Sequence, residues 1–109
     1  MIHSTVKMKI PRQKVREALE ILTLVAERTR VQPGCVSCRV YLDTQEGQLI
    51  LFEEMWRTQH ELDSHLRSEQ YRNVLLVIEM ADEKPEIIFN PLSDATGMAT
   101  IEKARGTQF

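Results

Sequence analysis

The hydrophobic period of this chain changes from two to three-or-four and back again, and the order of those changes leaves few folds open. Ile2, Ser4, Val6, Met8 and Ile10 alternate with His3, Thr5, Lys7 and Lys9, the period of a half-buried strand, and Pro11 ends it. From Arg12 to Arg30 the apolar positions Val15, Ala18, Leu19, Leu22, Val25 and Ala26 recur at the spacing of one helix face, and Pro33-Gly34 stops the helix. Cys35 to Leu42 alternates again, with Val36, Cys38, Val40 and Leu42 on one side and Cys35, Ser37, Arg39 and Tyr41 on the other. The polar stretch Asp43 to Gln48 then leads into "LILFEEMW", whose β-branched and aromatic content predicts a strand paired to the one before it.

Thr58 followed by Glu61 is the pattern of a capping box, in which side chains satisfy orphan amides at a helix start, so a short helix is predicted from about Gln59 to Leu66. Ser68 can cap a second helical piece carrying Tyr71, Val74, Leu75 and Ile78, ended by "ADEKP". "PEIIFNP" predicts a last strand bounded by prolines, and the tail offers a helical turn at Met98, Ile101 and Ala104. The resulting order, β-α-β-β-α-β, is the split βαβ arrangement of an α+β, ferredoxin-like domain with an antiparallel sheet and its helices on one face. We therefore expect a domain over 1–92 and a C-terminal extension over 93–109 that packs on the domain or on a partner.

That architecture has a consequence for assembly. One layer of helices covers one sheet face, yet the hairpin offers Leu49 and Leu51 on one side and Ile50, Phe52 and Trp56 on the other. A symmetric homodimer joined through sheet faces is the expected cover for the second. A chain of 109 residues with 42% hydrophobic residues is long enough to bury a core unaided. Fourteen Lys and Arg against sixteen Asp and Glu leave a formal charge of −2, so no basic surplus supports nucleic acid binding. The longest aliphatic run, Val74 to Ile78, is far too short to span a membrane, and Met1 to Pro11 lacks the features of a signal peptide. A cytoplasmic protein with reduced cysteines is expected.

Cys35 and Cys38, in "PGCVSCRVYLD", have the spacing of a redox dithiol or half a zinc site. On an extended strand, however, residues three apart are separated by roughly 10 Å and face opposite ways, and a disulfide needs Cα atoms within about 7 Å. No further ligands stand nearby, so both are expected to be packing residues, with no metal bound. Glu54 shares a strand face with Phe52 and Trp56, which makes it either a perturbed acid–base group or an edge-strand carboxylate paired to Arg39 or Arg57. His65 lies at the margin of the apolar stripe of the short helix, where it either acts as a base near neutral pH or merely packs. His60 faces away from that stripe and His3 lies on the polar side of its strand. Tyr71 either turns its hydroxyl toward the same cleft or fills core.

The runs "PGCVSCRVYLD", "LFEEMW" and "ELDSHLRSEQY" resemble the antibiotic biosynthesis monooxygenase domain family over residues 2 to about 92, and "TGMATIEKAR" is similar to a C-terminal extension found in part of it. The resemblance implies a dimeric ferredoxin-like α+β barrel with a pocket between helices and sheet in each protomer. It implies cofactor-independent oxidation of a small quinol or polyphenol by dioxygen, with no cofactor, in which His65 is the base, Tyr71 and Glu54 contact substrate and Trp56 forms a wall. Haem-degrading members carry an Asn on the first strand, a Trp in the short helix and a His in the next. Here the first strand has no Asn and the other two positions read His65 and, approximately, Leu75, so haem degradation is not expected. Glu69-Gln70 stands where other members have Pro-His, and a non-catalytic dimeric module binding a small aromatic ligand is the alternative.

Overall fold

The computed structural model describes residues 1–92 and 97–106. Strand β1 spans Ile2–Lys9, helix α1 Val15–Thr29 after a short 3-10 turn at Arg12–Lys14, β2 Cys35–Leu42 and β3 Leu49–Trp56. Helices α2, Gln59–Leu66, and α3, Tyr71–Glu79, precede β4, Glu86–Pro91, and α4, Met98–Arg105, follows it. The four strands form one antiparallel sheet in the order β2-β3-β1-β4. This is the α+β, ferredoxin-like arrangement that the periodicities predict. Within the chain the sheet is open, with β2 and β4 as its edges, and does not close into a barrel.

The strand alternation fixes which residues form the core. In β1, Ile2, Ser4, Val6 and Met8 point to the helices, opposite Trp56, Glu54, Phe52 and Ile50 of β3. Helix α1 lays Ala18, Leu22, Val25 and Ala26 onto this face, spaced at one helical stripe, and α3 adds Val74 and Val77. Among the described residues no helix buries side chains against the opposite sheet face. Leu49, Leu51 and Met55 are half-buried there among His3, Lys7 and Glu53, with His3 Nε2 2.9 Å from Glu53.

Two expectations about faces change. The β2–β3 pairing has a bulge between Cys35 and Ser37, so Cys35 lies opposite Trp56 and Cys38 opposite Glu54. Both cysteines therefore stand on the helix-covered face, because an inserted residue shifts the phase of the alternation by one. They are free thiols. Strand β3 is also interior rather than an edge, so Glu54 is enclosed on both sides by sheet.

Short polar links set the helix starts. Thr58 Oγ1 accepts the Glu61 amide at 3.2 Å and gives its hydroxyl proton to the Glu61 carboxylate at 3.0 Å. Ser68 joins α2 to α3, accepting the Tyr71 amide at 3.3 Å and donating to the His65 carbonyl at 2.6 Å. Helix α4 buries none of its residues, and Met98 and Ile101 are exposed on it.

Candidate functional site

The floor of the site is a row of cross-strand partners. Cys38, Glu54 and Ser4 are neighbours across β2, β3 and β1, with Cys35, Trp56 and Ile2 in the next row. All six side chains stand on the helix-covered face because their positions share one strand parity once the bulge is counted. Strand β3 thus presents a carboxylate beneath an indole, and α2, anchored at both ends by Thr58 and Ser68, lowers His65 onto them.

His65 Nε2 lies 2.6 Å from Glu54 Oε2, and both side chains have 0% exposure. The two groups are in direct contact, yet the ring nitrogen does not line up well enough for a hydrogen bond, so Nε2 and both carboxylate oxygens complete none. The other ring nitrogen, Nδ1, lies 3.0 Å from Gln32 Oε1. Trp56 stacks on the imidazole with ring centroids 4.7 Å apart and planes tilted by 30°. Tyr71 meets it edge-on at 5.2 Å. Glu54 is paired to neither suggested arginine: Arg57 Nη2 instead meets Glu61 Oε2 at 3.3 Å, and Arg39 lies opposite Glu53 in the β2–β3 register, on the other face.

The enclosed carboxylate colours its neighbours. Burial pushes the Cys38 thiol well above its ordinary range, and the charge of Glu54 adds to that. The Tyr71 hydroxyl is raised for the same two reasons, and Cys35 more mildly. Neutral thiols and a neutral phenol therefore surround one Glu–His contact. Thiolate chemistry at this CxxC has no support, since a reactive cysteine needs its proton affinity lowered.

Ser4 Oγ and Trp56 Nε1 are also enclosed and without hydrogen-bond partners. Leaving such a group unpaired costs about 1–3 kcal/mol, so this concentration is a local expense that packing alone does not justify. Above it opens a cleft of about 460 Å³, lined by Gln32, Pro33, Trp56, His60, His65 and Ser68 among others. Its size suits a small aromatic molecule. A wider, open depression of about 720 Å³ follows the outer side of α1 past Arg16, Leu19 and Leu24, and His65 does not line it. Among the described residues no cluster of His, Cys, Asp and Glu could hold a metal ion, and no helix is long and apolar enough to cross a membrane.

The structure brings together Glu54, Trp56, His65 and Tyr71, but in two tiers. Trp56 and His65 reach the cleft wall, whereas Glu54 and Tyr71 are not among its lining residues. His65 is deeply buried rather than marginal on α2, and His60, which faces away from the α2 stripe, lines the cleft. Sequence reasoning missed Ser4 and Gln32. Ser4 had a visible signal, being the one hydroxyl in the apolar set of β1. Gln32 had none, since a turn residue belongs to no period.

A family model described as antibiotic biosynthesis monooxygenase matches residues 1–75. The chain is 27% identical over 84 residues to an uncharacterized protein of Synechocystis sp., covering 77% of this chain and 53% of that one, so it spans about half the length of this curated relative. A conserved protein from Methanosarcina mazei Go1 superposes with a TM-score of 0.78 at 25% identity, covering 84% of this chain and 92% of the other. A structure described as antibiotic biosynthesis monooxygenase gives 0.78 at 20% identity, with 86% and 100% covered. A protein from Mycobacterium tuberculosis gives 0.68 at 28% identity, with 87% and 99% covered.

Proposed function

Because the chain belongs to the antibiotic biosynthesis monooxygenase family, we propose that it is a cofactor-independent monooxygenase acting on a small quinol or polyphenol. The observation that carries this reading is the buried Glu54–His65 contact beneath a cleft of aromatic size. A phenol or activated CH bound there loses its proton to His65. Glu54 holds the imidazolium that forms, and the indole of Trp56 supports the flat substrate. The electron-rich anion gives its electrons to dioxygen and forms a C–O bond. After the proton returns to the distal oxygen, loss of water breaks the O–O bond, leaving one oxygen on carbon as a carbonyl. For an activated methylene the balance is R2CH2 + O2 → R2CO + H2O.

Oxygen uptake with a panel of hydroquinones and anthrones tests this, with labelled dioxygen tracing one atom into product. His65→Ala should lower the rate by about 100- to 10,000-fold, the usual contribution of a positioned base. Equal rates in wild type and variant would remove His65 from the role. The second reading, a dimeric module that binds without turnover, is favoured by one observation: neither His65 nor Glu54 exposes any side-chain surface. Tight ligand retention without oxygen uptake would decide for it.

The same proposal includes a cytoplasmic homodimer joined through the open sheet faces, supported by Leu49, Leu51 and Met55 among charged neighbours. It also treats the tail bearing α4 as an extension to a domain over 1–92, supported by the exposed Met98 and Ile101. Light scattering that gives a monomer at micromolar concentration would count against the dimer.

A further inference from the structure

Gln32 stands between the cleft and the buried histidine. It precedes the Pro33-Gly34 turn, lines the cleft and holds its amide oxygen 3.0 Å from Nδ1 of His65. The opposite nitrogen is committed inward to Glu54 at 2.6 Å. Trp56 covers a ring face and Tyr71 an edge, so the imidazole is shut in by four side chains. Three of those come from strand or helix, and only Gln32 comes from a turn. Its backbone is tied, with its amide on the Thr29 carbonyl at 3.0 Å and its carbonyl on the Cys35 amide at 3.1 Å. Turning the side chain therefore breaks the contact with Nδ1 without moving the backbone.

We propose that Gln32 is the gate of this site: its amide caps Nδ1 of His65, and a ligand reaches the base only by replacing that amide with a hydroxyl of its own. An amide carries an acceptor at one end and donors at the other, so a half-turn lets it serve Nδ1 whether that nitrogen bears a proton or a lone pair. Among simple ligand groups a hydroxyl has the same two capacities, and an ether or a carboxylate does not. An aromatic hydroxyl can therefore take the amide's place. In the tautomer that leaves Nδ1 bare, its proton then passes to that nitrogen while Nε2 keeps its place against Glu54, giving a phenolate beside an imidazolium. Gln32 is thus a positioning residue, and the catalytic consequence rests on His65 being the base. The closure itself does not.

Carboethoxylation by diethyl pyrocarbonate, mapped by peptide mass spectrometry, tests the gate without turnover. Exposed His60 on the same helix is the internal control. In wild type His60 should be modified and His65 protected. In Gln32→Ala, folded by circular dichroism, His65 should react at a rate comparable with His60. Gln32→Glu, which keeps the length but only accepts, should stay protected while the Nδ1 resonance of His65 moves in the imidazole nitrogen spectrum. His65 reacting as fast as His60 in wild type, or staying protected in folded Gln32→Ala, overturns the proposal. Should the alanine variant not fold, unchanged ring resonances in Gln32→Glu overturn it. Failure of every quinol to consume oxygen would instead sink the monooxygenase reading and leave these results standing.

Discussion

The two ends of the helix-covered sheet face are made from the same strands and do opposite things. At one end Val6 and Met8 of β1 meet Phe52 and Ile50 of β3 beneath Leu22 and Val74, all fully buried and apolar. At the other, two residues along each strand, Ser4 meets Glu54 and Ile2 meets Trp56 beneath His65. Fully burying one large aliphatic or aromatic side chain is worth about 1.5–3 kcal/mol, so the first end supplies the stability of the fold. The second end spends part of it, because an enclosed carboxylate and its partner gain from their contact about what they lose in solvation.

The largest effect should separate the ends directly. Phe52→Ala should cost about 3–5 kcal/mol in urea denaturation, as expected for a large core side chain removed without collapse. Glu54→Leu or His65→Leu alone should cost about 3 kcal/mol by stranding the partner, yet the double variant should return to within about 1 kcal/mol of wild type, because an apolar pair has no charge to desolvate. A double variant as unstable as the summed singles would make the polar end structural after all.

A smaller effect lies at the turn that carries the site's outer wall. Gly34 has φ of 87°, and a Cβ there would overlap the Glu61 carboxylate that caps α2. Gly34→Ala should therefore lower stability by more than about 1 kcal/mol, since the substituent brings both backbone strain and a clash. Gly47→Ala, at a position with no neighbour within 4 Å, is the control and should be silent within about 0.5 kcal/mol. Equal melting temperatures for the two would show that the turn relaxes freely.

The smallest effect is confined to alkaline solution. Cys38 and Tyr71 are raised above ordinary values of 9.0 and 10.0, chiefly by burial. A raised acid holds its proton more tightly when folded, so its contribution is fully present below the unfolded value and declines as pH rises beyond it. Stability should therefore be flat with respect to these groups below pH 9.0 and fall above it, with a slope of at most about 1.4 kcal/mol per pH unit for each group. Cys38→Ala should make the decline shallower between 9.0 and 10.0, and an unchanged curve would mean that the thiol is not enclosed.

The sequence carried the fold because its signals are local. Strand parity needs only neighbours two residues apart, the α1 stripe only a helical turn, and Pro11, Pro33-Gly34 and Thr58 mark their boundaries without help from distant parts of the chain. The same parity put Glu54 and Trp56 on one face and made Ser4 stand out. It failed at Cys35, where one inserted residue in β2 reversed the phase, since a bulge is a property of two paired strands and leaves no mark in either alone.

The partners of the site residues had to come from the tertiary structure. Glu54 had two arginines within local reach, yet packing turned both away and brought His65 from another element to 2.6 Å. Gln32 reached His65 across 33 positions of chain. Periodicity determines which side of an element a residue occupies. Which charge it meets there, and which turn residue closes over that meeting, depends on how the elements are stacked, and that is settled by the whole core at once.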